Sequence, residues 1–590
     1  MDDRKARGGG WRARIAAVAA ALAATLPMHA RAECKLKVIE IPVKMTGHRA
    51  IAKVGINGTQ VPLIVDTGGF FSMLTESAAS QLHLKLGPMP FGTGVTGLAG
   101  KVQAHTTRVE HLKLAGIDLP DMEFIVGGNE PGSGAMGLMG RNLMSFTDME
   151  FDLAHGLVRY VYPNADCDDA NMAYWAGDTP VAMLNLLRER RDTVPELRAR
   201  IRLDGRSVTA MFDSGADTVV SLATAHRVGL KDGDMRPAGK ATGVGAGRVD
   251  QWTAPFDAID LGGETVKHNR LSVAAFEMDE DLLIGIDFFL SHRIYISQKQ
   301  ARMYFTYNGG PVFALNVGER ASPEAAAASA PAQSADELAR RGAASQARGD
   351  LERALADLDK ACALAPDNAE FFAMRAAIQA ELEHPDKALA DLDAALRLDP
   401  AQDGARLQRA ALLAEDDEDD RAIDDLAVLD QHLPPQSALR SEMANLYESL
   451  GLHSRSVAQW DLWIPAHKHD VEVDEAYNDR CWARVEIGLE LDKALDDCDE
   501  AVEADSRNAS FVDSRAWVYL RQDRASRARS EFSRALALKP DQAWSLYGRG
   551  LANQRLGDAA AAQADLAAAR KASPDIDADI GKTGLPTAKP

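Results

Sequence analysis

Two short stretches of the chain carry residue types suited to acid–base hydrolysis. Val61-Pro62-Leu63-Ile64-Val65-Asp66-Thr67-Gly68 and Val208-Thr209-Ala210-Met211-Phe212-Asp213-Ser214-Gly215 each run an apolar strand into Asp-Thr/Ser-Gly. If Asp66 and Asp213 meet, the chemistry follows from their charge. Two carboxylates about 3 Å apart cannot both ionise, so one proton is shared. The ionised member can then deprotonate a water that attacks a carbonyl, and the protonated member can donate to its oxygen. Thr67 and Ser214 would brace the two turns through their hydroxyls, and Gly68 and Gly215 would allow the tight backbone and its approach to substrate. A lone Asp-Thr/Ser-Gly is only a turn signal, so the flanks must decide.

The flanks are duplicated. Asn57-Gly58 and Asp204-Gly205 are hairpin signals, with Gly58 and Gly205 each eight residues before their aspartate. Gly94 in Thr93-Gly94-Val95 and Gly243 in Thr242-Gly243-Val244 follow their aspartates by 28 and 30 residues, and Gly140 in Leu138-Met139-Gly140 and Gly285 in Leu283-Ile284-Gly285 follow by 74 and 72. Four landmarks in one order at matching offsets imply two copies of one β fold. This set resembles the retroviral-type aspartic peptidases over about 45–165 and 195–307. The resemblance implies one Asp-Thr/Ser-Gly turn, one glycine-rich flap and one apolar-apolar-Gly support per lobe, fused in one chain with Asp66 and Asp213 as the catalytic pair. It places Thr93, Gly94, Val95, Thr242, Gly243 and Val244 on flaps near 91–103 and 241–251 that close over an extended polypeptide substrate. Gly140-Arg141-Asn142 follows the family pattern in the first lobe and Asp213-Ser214-Gly215-Ala216-Asp217 in the second. Gly69-Phe70 and Ile286 depart from it, so neither lobe holds both members of the family's Asp/Arg pair.

The second half has a different period. Pro366, Pro400 and Pro434 are 34 residues apart, as are Ser506, Pro540 and Pro574. Twelve residues before these markers stand Ala354, Ala388, Ala422, Ala494, Ala528 and Ala562, and small residues recur at Gly342, Ala376, Ala410, Ala516 and Gly550. This resembles the tetratricopeptide repeat (TPR), about seven helical hairpins over 335–574, with a fourth copy that carries Ser456, Trp460 and Trp463 where the pattern has small or medium apolar residues. Stacked hairpins form a solenoid whose concave face is a binding surface.

Composition narrows the remaining choices. The chain has 590 residues, 66 Lys plus Arg against 87 Asp plus Glu, and a formal charge of −21, which disfavours nucleic acid as a partner. Arg4, Lys5, Arg7, Arg12 and Arg14 precede an apolar run from Ile15 to Leu26, and Ala30-Arg31-Ala32 offers a cleavage site, so 1–32 reads as a signal peptide. A secreted or periplasmic chain without a membrane anchor is expected. Oxidation then allows Cys481 to bond Cys498, which the repeat register places on facing helices, and Cys34 to bond Cys167 around the first lobe, leaving Cys362 free. Gly92-Thr93-Gly94-Val95-Thr96-Gly97 fits a dinucleotide fingerprint, but a β-like segment follows it instead of a helix. His105, His111, His155, His226 and His292 lack ligand spacing, and Glu415 to Asp420 reads as a solvated loop, so no metal or cofactor is expected.

The expected fold is multidomain, an all-β double-lobed aspartic-peptidase fold plus an all-α TPR solenoid. Its parts are the signal peptide, lobe 1 over 35–165, lobe 2 over 195–315, an Ala/Pro/Ser linker over 316–334, the solenoid over 335–574 and a tail over 575–590. The expected function is a secreted aspartic endopeptidase whose TPR array recruits a substrate or protein partner on its concave face, with the β half folding independently on a tether. The alternative is a catalytically silent peptide-binding scaffold that keeps the cleft. A second alternative pairs each lobe with its twin in another chain.

Overall fold

The structure is a computed structural model that describes residues 34–89, 95–97, 100–128, 134–188, 196–241, 248–276, 278, 280–313, 334–470 and 472–588. The expected signal peptide and all but the last residue of the expected linker lie outside these residues. What remains is two β lobes followed by a helical array.

Each lobe opens with the hairpin its sequence signals. Arg49–Ile56 pairs with Thr59–Val65 through Asn57-Gly58, and Arg198–Leu203 pairs with Arg206–Phe212 through Asp204-Gly205. All four turn residues have positive φ, from 48° to 91°, as the right-handed twist of a two-residue hairpin requires. The second strand of each hairpin then takes a parallel partner, Gly137–Met139 in lobe 1 and Leu282–Ile284 in lobe 2. Flanked on both sides, these strands are apolar throughout their inner ends: Leu63, Val65, Ala210 and Phe212 are completely buried. The aspartate turns therefore emerge from the most rigid part of each lobe.

The lobes are joined by a sheet built from both. Asp148–Asp152 of lobe 1 pairs with His292–Ser297 of lobe 2, Phe151 opposite Ile294, in a 13-stranded sheet that also holds Leu36–Thr46, Leu157–Pro163, Ala182–Asn185 and Arg302–Tyr307. One buried carboxylate ties this seam. Glu150, with no exposed surface, accepts hydrogen bonds from Arg159 (2.5 Å), Arg293 (2.7 Å) and the Tyr174 hydroxyl (2.5 Å). Removing it leaves Arg293 with only the more distant Asp152 (3.7 Å) as an acidic partner, and Arg159 with Asp152 (3.5 Å) and the exposed Glu40 (2.9 Å). Glu150→Ala should cost about 1–3 kcal/mol, the scale of losing hydrogen bonds to a buried charged group, since Asp152 stays near both arginines, and it should read as a lower denaturation midpoint at unchanged m-value. Retention of the wild-type midpoint would mean that the seam is held by backbone pairing alone.

Seven helical hairpins follow, over 335–364, 369–398, 403–432, 439–463, 473–504, 509–538 and 543–572. Ala354, Ala388, Ala422, Ala494 and Ala528 are completely buried where the helices of a hairpin cross. A Cβ on Gly550 would lie 2.8 Å from Leu566. The array also carries a repeating ion pair. Arg341, Arg375, Arg409, Arg480, Arg515 and Arg549 each grip an acidic residue on the second helix of their own hairpin, Asp357, Asp391, Asp425, Asp497, Glu531 and Asp565. The fourth hairpin breaks the series. It has Met443 at that position, uses Arg440 to donate to Gln459 (2.5 Å), and buries Trp460 and Trp463 against Ala444, Ile464 and Ala476. The expected tail begins instead with a helix, Ile576–Lys582, whose buried Ile576 and Ile580 cap the last hairpin.

The halves are not independent. Ala343, Ala344 and Ala347 on the first solenoid helix belong to the same apolar cluster as the lobe cores, together with Phe313. A Cβ on Gly156 of lobe 1 would collide with the backbone-proximal carbons of Arg340. Further along, Lys44 pairs with Glu370 (2.7 Å), Glu76 with His469 (3.0 Å), Arg248 with Asp474 (3.2 Å) and Glu475 (3.0 Å), and Lys240 with Asp505 (2.9 Å). The halves, expected to be joined by a tether alone, therefore also touch directly. Small Ala side chains on one helical face gave no sign in the sequence of whether they meet another hairpin or a β lobe.

Candidate active site

Both aspartate turns are held by the parallel strands beside them. The Asp66 amide donates to the Met139 carbonyl (3.0 Å) and the Asp213 amide to the Ile284 carbonyl (2.9 Å). Gly140 and Gly285 follow those strands, and their backbones pass so close to the turns that a Cβ on either would collide, with Phe71 and Ser72 in lobe 1 and with Ala216, Asp217 and Thr218 in lobe 2. Hydroxyls fill the remaining gaps, Ser72 accepting from the Gly140 amide (3.0 Å) and Thr218 from the Gly285 amide (2.8 Å). The apolar-apolar-Gly segments thus position the aspartates in the same way twice.

Thr67 and Ser214 then lock one turn to the other. Thr67 Oγ1 donates to the Phe212 carbonyl (2.8 Å) and accepts from the Ser214 amide (2.9 Å). Reciprocally, Ser214 Oγ donates to the Val65 carbonyl (2.7 Å) and accepts from the Thr67 amide (3.2 Å). Both side chains are buried, so these four bonds have no competition from water.

This brace brings the carboxylates together. The Gly68 amide lies 2.8 Å from Asp66 Oδ1 and 3.2 Å from Asp213 Oδ1, so a single N–H faces both. A Cβ on Gly68 would run into the Asp213 carboxylate, and one on Gly215 would sit 2.7 Å from the carboxyl carbon of Asp66. Any larger residue at either position would push the pair apart. Burial, and after it the facing Asp66 charge, raise the Asp213 carboxyl well above the ordinary carboxylate range, against the amides of Gly215 and Gly68 that favour its anion. Asp66 accepts two amides on one oxygen, from Gly68 and Gly69, both at 2.8 Å. The arrangement supplies a proton donor and a proton acceptor at one point.

Of the flap residues, Val95 lies on a short hairpin, Val95–Gly97 against Gly100–Val102, and pairs with Val102. Thr93, Gly94, Thr242, Gly243 and Val244 fall outside the described residues. The strands flanking the second flap, Arg236–Ala241 and Val249–Leu261, pair as an antiparallel stem, Ala241 opposite Val249. That stem is where Lys240 and Arg248 reach the solenoid.

The sequence reading named Arg141 without finding its partner. Its side chain is buried, with Nε and Nη1 lacking hydrogen-bond partners among the described residues. Nη2 lies 3.7 Å from Glu196, which leads into lobe 2, so Arg141 pairs across the lobes and not within one. Burial lowers its pKa, and Glu196, Asp66 and Asp213 oppose that. In lobe 2 Ile286 stands at that position, and the next residue, Asp287, takes the role Asn142 has in lobe 1: it accepts from the Thr218 hydroxyl as Asn142 does from Ser72, and burial pushes it up to about 7, with Asp217 adding to the rise. Asp217 itself faces His48 of lobe 1 at 3.5 Å. Glu196, Asp287 and His48 had no sequence signal, because each acts on a residue far away in the chain. The cysteines pair as Cys34–Cys167 and Cys481–Cys498, with Cys362 buried and free.

Residues 52–143 and 199–288 each match the family model described as aspartyl protease. The two lobes are aspartyl protease-like domains, and the helical half is a TPR-like array. No protein of curated function matches the chain in sequence. Among solved structures, a tetratricopeptide repeat protein from Parabacteroides merdae is similar at 20% identity and TM-score 0.32, over 41% of this chain and 94% of that one. YrrB, a TPR protein with an unusual peptide-binding site, is similar at 16% identity and TM-score 0.23, over 37% and 93%. Basic 7S globulin from soybean is similar at 11% identity and TM-score 0.27, over 46% and 95%.

Proposed function

We propose that the chain is a secreted or periplasmic aspartic endopeptidase that hydrolyses polypeptide substrates with Asp66 and Asp213. The observation that carries this reading is the shared amide of Gly68, which faces both carboxylates inside a fully bonded Thr67/Ser214 brace. Water bound between the carboxylates loses a proton to the ionised Asp66 as its oxygen attacks the scissile carbonyl carbon, while Asp213 gives its proton to the carbonyl oxygen. Collapse of the tetrahedral species returns a proton to the leaving amine and breaks the C–N bond. Secretion is supported by the basic-then-apolar N-terminus and by two disulfides, which persist in oxidising compartments. The solenoid is proposed to present a substrate or partner protein on its concave face to the cleft.

The experiment is hydrolysis of a peptide library by the purified chain across acid to neutral pH, with and without a statine-type transition-state mimic. Such a mimic binds the dyad far more tightly than a substrate does, so cleavage is expected and the mimic should abolish it. Peptide binding without cleavage at any pH would favour the silent-scaffold reading instead.

A further inference from the structure

The fourth and fifth hairpins of the solenoid bring together three metal-ligand side chains that neither the dyad nor helix packing uses. Glu448 lies in the last turn of Leu439–Ser449, His453 is the first residue of His453–Trp463, and Glu486 is near the end of Val473–Ile487. His453 Nδ1 is 3.1 Å from Glu448 Oε1 and 3.2 Å from Glu486 Oε2, and one donor atom from each residue lies within 4.8 Å of the others. Glu486 is 7% exposed, and Glu448 Oε2 is buried with no hydrogen-bond partner.

Two carboxylates in contact need a positive centre between them. Among the described ion pairs no Lys or Arg meets either one, and Asp479 on the same helix as Glu486 adds to the negative field around Glu448. His453 is the one basic side chain that meets the pair among the described residues. The spacing also suits a metal: tetrahedral bonds of about 2.0–2.1 Å to nitrogen and oxygen set neighbouring donors about 3.4 Å apart, and the two imidazole-to-carboxylate distances, 3.1 and 3.2 Å, fall within a few tenths of an ångström of that. His453 and Glu448 are each about a quarter exposed, which leaves an entry path and a coordination position for water.

We propose that Glu448, His453 and Glu486 form a binding site for a divalent transition cation of the zinc class, one imidazole nitrogen and two carboxylates around an open position. The ion pins three helices at the one place where the Arg–Asp series of the solenoid is interrupted. It also anchors Val473–Ile487, whose first turn carries the Asp474 and Glu475 that hold the second flap stem through Arg248. No sequence motif announces such a site, because its ligands come from three helices and only Glu448 and His453 are close in sequence.

The test uses the full chain, stripped with a chelator and dialysed against zinc, manganese or calcium in turn, with bound metal measured per chain and heat unfolding recorded alongside. One equivalent of zinc and a higher melting temperature are expected. His453→Gln and Glu486→Gln should each weaken zinc binding at least about 10-fold, the scale on which metal sites respond even to loss of supporting groups, with the helical circular dichroism unchanged. Absence of zinc at micromolar concentration, or zinc binding that both variants retain, would overturn the site and leave a carboxyl pair that shares a proton.

Discussion

Asp213→Asn should lower peptide hydrolysis by about 10³-fold or more while leaving the folded chain intact. An amide can neither give up a proton to the carbonyl oxygen nor take one back, and removing a general acid typically costs 10²–10⁴-fold. The effect should appear in kcat more than in KM, because the group acts as charge develops. Asp66→Asn should be equally severe through loss of the base, so one surviving aspartate gives no partial activity. That outcome also separates the fused pair from twin pairing between chains, in which an Asp66–Asp66 site would survive Asp213→Asn. The pH dependence has a definite sign. Asp213 must carry its proton, and burial together with the Asp66 charge raises its pKa, so activity should persist above the ordinary carboxylate value of about 3.9 and fail on the alkaline side. Linkage gives the matching stability statement: a raised folded pKa contributes stability that is present below the unfolded value and lost as pH rises through the folded one. Asn mimics the protonated form. The inactive Asp213→Asn chain should therefore unfold at a higher temperature than wild type near neutral pH and equal it at pH 3. A variant that keeps most of its turnover would remove Asp213 from the mechanism.

Much of this site was legible before any coordinates because its landmarks are backbone demands. Asn57-Gly58 and Asp204-Gly205 must occur where φ is positive, and Gly68, Gly140, Gly215 and Gly285 where a Cβ would strike a carboxylate or the chain beside it. Such positions tolerate few residues, so the same letters recur in both lobes. The hydroxyl brace was readable for the same reason, since only Thr or Ser at 67 and 214 can donate to one lobe and accept from the other. Charge pairs were less visible. Arg141 could meet any acid that the fold delivered, and nothing in the sequence around Glu196 marks it as the recipient. The Arg–Asp ladder of the solenoid is periodic in the sequence, at 341, 375 and 409 and again at 515 and 549, yet only the small apolar residues mark helix crossings directly, and a charged residue at the same period fits a solvated face as well as a pair. The docking of the solenoid on the lobes left no local pattern at all.

Deletion of 334–590 is the second change with a large expected effect, and it acts through the lobes. The truncated chain exposes the lobe surface that Ala343, Ala344 and Ala347 cover, and it frees Lys44, Glu76, Lys240 and Arg248 from their solenoid partners. At about 0.8 kcal/mol per buried methyl-sized group the three alanines contribute about 2–3 kcal/mol, and the five ion pairs made by these four residues, mostly partly exposed, add about 0–1 kcal/mol each. A loss of that size should lower the melting temperature of the lobes by roughly 10 °C. Short-peptide turnover should then fall with the folded fraction as the temperature rises, at unchanged KM. A full-length chain with Lys240→Glu and Arg248→Glu isolates the clasp from the core contact. Both substitutions set like charges against Asp505, Asp474 and Glu475 at the base of the second flap, and none of the alanine contacts is lost. Its melting temperature should fall by less than that of the truncated chain, since every apolar contact is kept, while KM changes and the salt dependence of KM shrinks, because the clasp that salt would screen is already broken. If the truncated chain instead keeps the wild-type melting temperature and full short-peptide turnover, the helical half is a tethered module after all, and its contacts with the flap stem carry no part of the fold.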